Sequence, residues 1–68
     1  MRIGLNGAER ELDDGATLLD AVAAVAGDTE RRGIAVALDG EVVPRGRWGE
    51  TALDEGHRVE VLEAKAGG

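Results

Sequence analysis

One segment of this chain has the spacing of a helix, and the segments around it are short and alternate. Residues 16–27 read ATLLDAVAAVAG, with Leu18, Val22 and Val25 at i, i+4 and i+7 and with Leu19 and Ala26 on the same apolar side. Thr17 is placed as an N-cap, Asp20 stands three residues later as a capping-box acid, and Gly27 is placed to end the helix. The alanines raise helix propensity and let the helix approach a neighbouring layer closely. A single helix cannot bury its own stripe, so the remaining residues must supply the other layer.

They read as strands. In MRIGLN, Ile3 and Leu5 share one face while Arg2, Gly4 and Asn6 share the other. Asn6-Gly7 favours the positive φ values of a type I′ hairpin turn. The returning segment, from Ala8, carries Glu9, Arg10 and Glu11, the composition of an exposed edge strand. Asp13-Asp14-Gly15 is turn chemistry. After the polar connection DTERR, the run IAVALDG points Ile34, Val36 and Leu38 one way and Ala35 and Ala37 the other, then ends in an Asp-Gly turn. Residues 41–43 add a short strand before Pro44, which cannot donate to a ladder. Residues 45–56 read as irregular, closing in an Asp54-Glu55-Gly56 turn. In the last run, Val59 and Val61 share a face with His57 and Glu63, and Leu62 looks the other way. The order predicts an α+β fold, a mixed four- to five-stranded sheet packed on one main helix, with the first and last strands parallel in its middle. Residues 1–63 form the domain, and 64–68 form a flexible C-terminal arm.

Composition narrows the function. The chain has 68 residues, one tryptophan, no phenylalanine, tyrosine or cysteine, and a net charge of −6. The core is therefore aliphatic, and thiol nucleophiles, disulfides and thiolate metal sites are absent. A cytoplasmic location fits the lack of cysteine. An acidic surface with one aromatic side chain argues against nucleic acid, which needs basic footprints and stacking faces. It fits a partner with a basic surface, or simply solubility. No signal peptide and no membrane-length apolar run is present.

No side-chain constellation for catalysis stands out. His57 follows a turn glycine and reads as a surface residue rather than a general base. The acidic pairs Asp13-Asp14 and Asp54-Glu55 lack metal-loop spacing and read as turn residues. Trp48 is expected to cover an aliphatic core, and the flanking Arg45 and Arg47 to be solvated charge. The remaining feature is the end, KAGG. Glycine packs poorly and orders poorly, so Gly67 and Gly68 contribute little to a fold. They suit a chain whose α-carboxylate must thread a narrow channel, where a Cβ would strike the walls. Activated as an acyl-adenylate, the Gly68 carboxylate becomes electrophilic, and sulfur or an amine can displace AMP.

With Asn6-Gly7 after the first strand, IAVALDGEVVPRGRW over residues 34–48, LDEGHRVEVL over 53–62, and Gly67-Gly68 as the end, the chain resembles the sulfur carrier family of thiamine biosynthesis. Val43-Pro44-Arg45 followed by Trp48 is the most characteristic part. That family has the ubiquitin-like β-grasp fold. The resemblance implies a carrier rather than an enzyme, a monomer when free, binding no cofactor or metal itself. It implies an E1-like adenylyltransferase that uses ATP and Mg²⁺ on Gly68, with Gly67, Ala66 and Lys65 recognised as the tail. A sulfur relay from a cysteine desulfurase would then give a thiocarboxylate, and thiazole synthase would take its sulfur. His57 departs from the acidic residue many relatives have after that turn.

Three other readings share parts of this pattern. The small subunit of molybdopterin synthase has the same fold and end, but usually a more aromatic or Pro-rich approach to the tail than VLEAKAGG. A ubiquitin-like modifier joined to lysines and a plain β-grasp interaction module are the others. For docking, the flat face with Ala35 and Ala37, together with Leu62 and Ala64 beside the arm, is the expected partner surface.

Overall fold

The computed structural model describes residues 1–64, so Lys65, Ala66, Gly67 and Gly68 lie outside the described residues. The elements are β1 (Arg2–Leu5), β2 (Ala8–Glu11), α1 (Leu18–Ala26), β3 (Ile34–Leu38), β4 (Glu41–Val42), a 3₁₀ helix (Arg45–Glu50) and β5 (Arg58–Glu63). The five strands form one sheet in the order β2-β1-β5-β3-β4. β1 and β5 are parallel and pair Leu5 with Val59, and the other pairings are antiparallel. One helix lies across one face of this mixed sheet, the β-grasp arrangement.

The alternation decides which face is covered. Ile3, Leu5, Val36, Val59 and Val61 meet Leu18, Ala21 and Val22 of α1 in the buried core, with Trp48 and Leu53 closing one side. Trp48 is 1% exposed, and its Nε1–H donates to the Val43 carbonyl at 2.9 Å. The tryptophan is thus a core residue with its one polar atom satisfied. β2 is exposed at every position, as an edge strand with Glu9, Arg10 and Glu11 should be. At the helix N-terminus the Asp20 carboxylate accepts the Thr17 N–H at 2.8 Å, the acid half of a capping box. The Gly27 N–H donates to Ala23 O and closes the other end.

Two expectations change. Leu19 is 38% exposed rather than part of the core stripe. The helix has only nine residues and turns Leu18, Ala21 and Val22 to the sheet, so Leu19 falls on the flank near Gly49. The stretch after Pro44 is regular in part, since residues 45–50 form the 3₁₀ helix. The Arg47 N–H donates to Pro44 O at 2.9 Å, and proline is pre-set for such a start. Residues beyond it are pinned as well: Leu18 N–H donates to Thr51 O and Leu53 N–H to Ala16 O, tying this segment to the start of α1.

β5, the central strand, is clasped at both ends by turn residues in the left-handed region. Asn6 (φ 51°), in the β1–β2 turn, bonds the backbone of Val61 through both amide atoms. Asp39 (φ 49°), in the β3–β4 turn, accepts the Arg58 N–H on Oδ1 and donates its own N–H to Arg58 O. Asn and Asp tolerate that conformation because their short polar side chains can bond backbone nearby. At the start of the chain the Met1 ammonium donates to Leu12 O and to Asp14, and the Asp14 hydrogen bond holds it above its usual pKa.

Candidate functional site

The uncovered face of the sheet follows from the same period-two pattern. Ala35 and Ala37 of β3 project away from the helix, and the register sets Ala35 opposite Leu62 and Ala37 opposite Val42 and Glu60. These side chains and Val36 line a shallow depression of about 110 Å³. Leu62 is 69% exposed and Val42 77%, so two large apolar side chains stand in water on either side of two alanines. The patch sits beside the end of β5: the strand ends at Glu63, and Ala64 follows, exposed. The expected surface residues Ala35, Ala37, Leu62 and Ala64 are thus brought to one region of the molecule.

Val42 belongs with them and was not anticipated. The signal was present in Val42-Val43: adjacent residues of a strand face opposite sides, and Val43 is the one packed on the core. The expected tail residues Lys65, Ala66, Gly67 and Gly68 lie outside the described residues.

The chain just before them is held from three directions. Asn6 bonds Val61, the Arg31 guanidinium pairs with Glu63, and the Ala64 N–H donates to Gly33 O at 2.7 Å. The loop that carries Arg31 and Gly33 is itself anchored by Arg45. Its guanidinium donates to the carbonyls of Thr29 and Arg31 and lies over the Trp48 ring, 4.7 Å from the centroid. This corrects the expectation of a solvated Arg45. Two loop carbonyls and an aromatic face give a planar guanidinium more than water contact does. Arg47 is exposed, with its carbonyl accepting the Thr51 hydroxyl.

His57 closes its own turn: its Nδ1 accepts the Asp54 N–H at 3.0 Å, while Nε2 lies 3.8 Å from Asp39 Oδ2, beyond hydrogen-bond reach. One acid of each pair bonds the start of the chain: the Asp14 carboxylate accepts from the Met1 ammonium, and the Glu55 carboxylate accepts the Arg2 N–H, 53 residues away in sequence. Among the described residues no group of three or more His, Asp or Glu side chains is set to hold a metal ion. No described helix is long and apolar enough to cross a membrane.

The domain presents a flat apolar patch and, next to it, the end of β5. The model of the ThiS family matches residues 3–68. Among solved structures, the crystal structure of the thiamine biosynthesis protein ThiS from Geobacter metallireducens is similar over 100% of both chains, with 28% identity and a TM-score of 0.76. The solution structure of a thiamine biosynthesis protein from the same organism covers 100% of this chain and 88% of that one, at 24% identity and a TM-score of 0.76, and it supports the fold. A search of curated proteins finds no match.

Proposed function

This chain belongs to the ThiS family, and we propose that it is a sulfur carrier protein for thiamine biosynthesis. The observation that carries the reading is that the family match runs through residue 68, so the Gly67-Gly68 end lies within the matched segment. In this role the chain is a cosubstrate, acted on by other enzymes and returned.

The chemistry belongs to the α-carboxylate of Gly68. Attack of that carboxylate on the α-phosphorus of ATP forms the acyl-adenylate and releases pyrophosphate. ATP and Mg²⁺ are bound by the E1-like adenylyltransferase. A persulfide, its outer sulfur supplied from cysteine by a desulfurase, then adds to the activated carbonyl and AMP leaves. A second thiol of the relay enzymes cleaves the S–S bond of the resulting acyl disulfide and ends as a disulfide, leaving a thiocarboxylate whose sulfur thiazole synthase consumes. Glycine at 67 and 68 keeps Cβ atoms out of the channel that brings the carboxylate to ATP.

The body of the domain supplies recognition. The patch of Ala35, Ala37, Val42 and Leu62 is flat and apolar and lies beside the arm, so a partner that covers it holds the arm's root in place. The net charge of −6 steers the carrier toward a basic partner surface.

The test is the intact mass of the protein isolated from its own cells during thiamine starvation. The expected result is a fraction heavier by one oxygen-to-sulfur exchange, mapped to the C-terminal peptide. Should that species be missing, and should ATP with the activating enzyme yield no adenylate on Gly68 in vitro, the carrier reading is wrong.

A further inference from the structure

β5 is gripped unequally near its end. Among the described residues, the last contact on the β1 side is Asn6 with Val61, and on the β3 side it is Gly33 with Ala64, three residues further along. Gly33 has φ 84°, and a Cβ built on it would lie 3.0 Å from Ala64 O and 3.3 Å from Ala64 Cβ. Among the described residues, five other glycines have positive φ (Gly7, Gly15, Gly27, Gly40 and Gly56), and none of them has an atom within 4 Å of such a Cβ. Gly33 is therefore the position where the missing side chain matters for packing as well as for φ, and what it makes room for is the root of the arm.

The loop on which Ala64 rests is fixed to the core. Arg45 holds the carbonyls of Thr29 and Arg31 while stacking on buried Trp48, and Arg31 reaches back to Glu63. Four residues reach at most about 13 Å, so the place of Ala64 bounds where the carboxylate of Gly68 can be brought when the domain is docked. Misplacing a reacting group by about 1 Å can cost about a hundredfold in rate.

We propose that Gly33 is a positioning residue for the terminal carboxylate: by letting Ala64 close onto the loop, it sets the direction in which the arm leaves the sheet for the adenylating enzyme. The inference rests on the carrier reading for its consequence, though not for its geometry.

The test compares Gly33→Ala with Gly56→Ala. Gly56 has φ 87° and nothing within 4 Å of an added Cβ, so its variant carries the same backbone strain without touching the arm. Trp48 fluorescence checks that both variants fold. Two readouts follow: hydrogen exchange of the Ala64 amide, and steady-state ATP–pyrophosphate exchange with the activating enzyme. Gly33→Ala is expected to speed Ala64 exchange by about tenfold or more. It should lower kcat about 10- to 100-fold while the KM for the carrier changes by less than about threefold, because the docking patch is intact. Gly56→Ala should match the wild type in both.

Unchanged Ala64 exchange in Gly33→Ala overturns the inference whether or not any enzyme adenylates the chain. So does a freed Ala64 with wild-type kcat, or an equal loss of kcat in Gly56→Ala. A wild-type chain that is not adenylated overturns the carrier reading and the delivery role together, and Ala64 exchange still decides the geometric half.

Discussion

The side-chain amide of Asn6 stands in for a strand residue against Val61: Oδ1 accepts the Val61 N–H at 2.7 Å and Nδ2 donates to the Val61 carbonyl at 3.2 Å. β1 has ended at Leu5 and its chain has turned away, so without this side chain those two backbone groups of β5 would face no partner on the β1 side. Asn6→Ala removes both bonds and places a residue without a polar side chain at φ 51°. The expected loss is about 1–3 kcal/mol in urea unfolding followed by Trp48 fluorescence. Asn6→Asp keeps the turn conformation and the acceptor but not the donor, and should fall between the wild type and Asn6→Ala. Equal stability of all three would show that the clasp contributes nothing.

Arg45 and Arg47 separate a clamp from a solvated charge. Arg45→Lys keeps the charge but gives up the planar fork that serves the Thr29 and Arg31 carbonyls and the stack on Trp48. A loss of about 1 kcal/mol is expected, modest because the group is exposed. Arg47→Lys should change stability by less than about 0.5 kcal/mol, as exposed substitutions usually do. If the two variants lose equally little, Arg45 is no clamp.

How much of this could be read beforehand depends on the range of the interaction. The helix, its caps, the Asn6-Gly7 and Asp39-Gly40 turns and the alternation that sorts Val59 and Val61 from Leu62 are local, and local patterns were enough for them. The parallel pairing of β1 with β5 followed from strand order and the single crossover. What could not be read was what a side chain finds across the fold. Asn6 meets a strand 55 residues away, and Arg45 meets carbonyls 16 and 14 residues back in a loop whose path no periodicity encodes. Leu19 failed for a related reason: on nine residues, the face that meets the sheet is narrower than the apolar arc drawn on the sequence. The candidate surface was legible in its alanines. Val42 was missed because the hairpin that sets it opposite Ala37 is only two residues long on one side.

Leu62 tests the proposed docking face. At 69% exposure it supports little of the core, so Leu62→Asp should leave urea unfolding within about 0.5 kcal/mol of the wild type. On a partner-covered patch the same change buries an unpaired carboxylate. The KM for the carrier in the adenylation reaction should then rise by about tenfold or more, with kcat largely kept. Val42→Asp, on the other side of the same depression, should behave alike. Wild-type KM in both variants would move the docking surface elsewhere.

Adding one alanine after Gly68 distinguishes tail chemistry from every role the folded domain could play alone. The added residue carries its own carboxylate, so charge at the end is preserved, and no described contact of the domain is touched. Urea stability should match the wild type, and binding through the Leu62 patch should persist, since that patch ends at the arm's root. Adenylation requires more than a carboxylate on a tether. It needs the reacting atoms aligned about 3–3.5 Å apart, and an extra residue of about 3.3 Å puts the new carboxylate past that position with a Cβ beside it. ATP–pyrophosphate exchange should therefore fall by about a hundredfold or more while the extended chain competes with the wild type for the activating enzyme. An extended chain that is adenylated normally would mean that the two glycines are not read as an end, and the function would have to be sought in the sheet face instead.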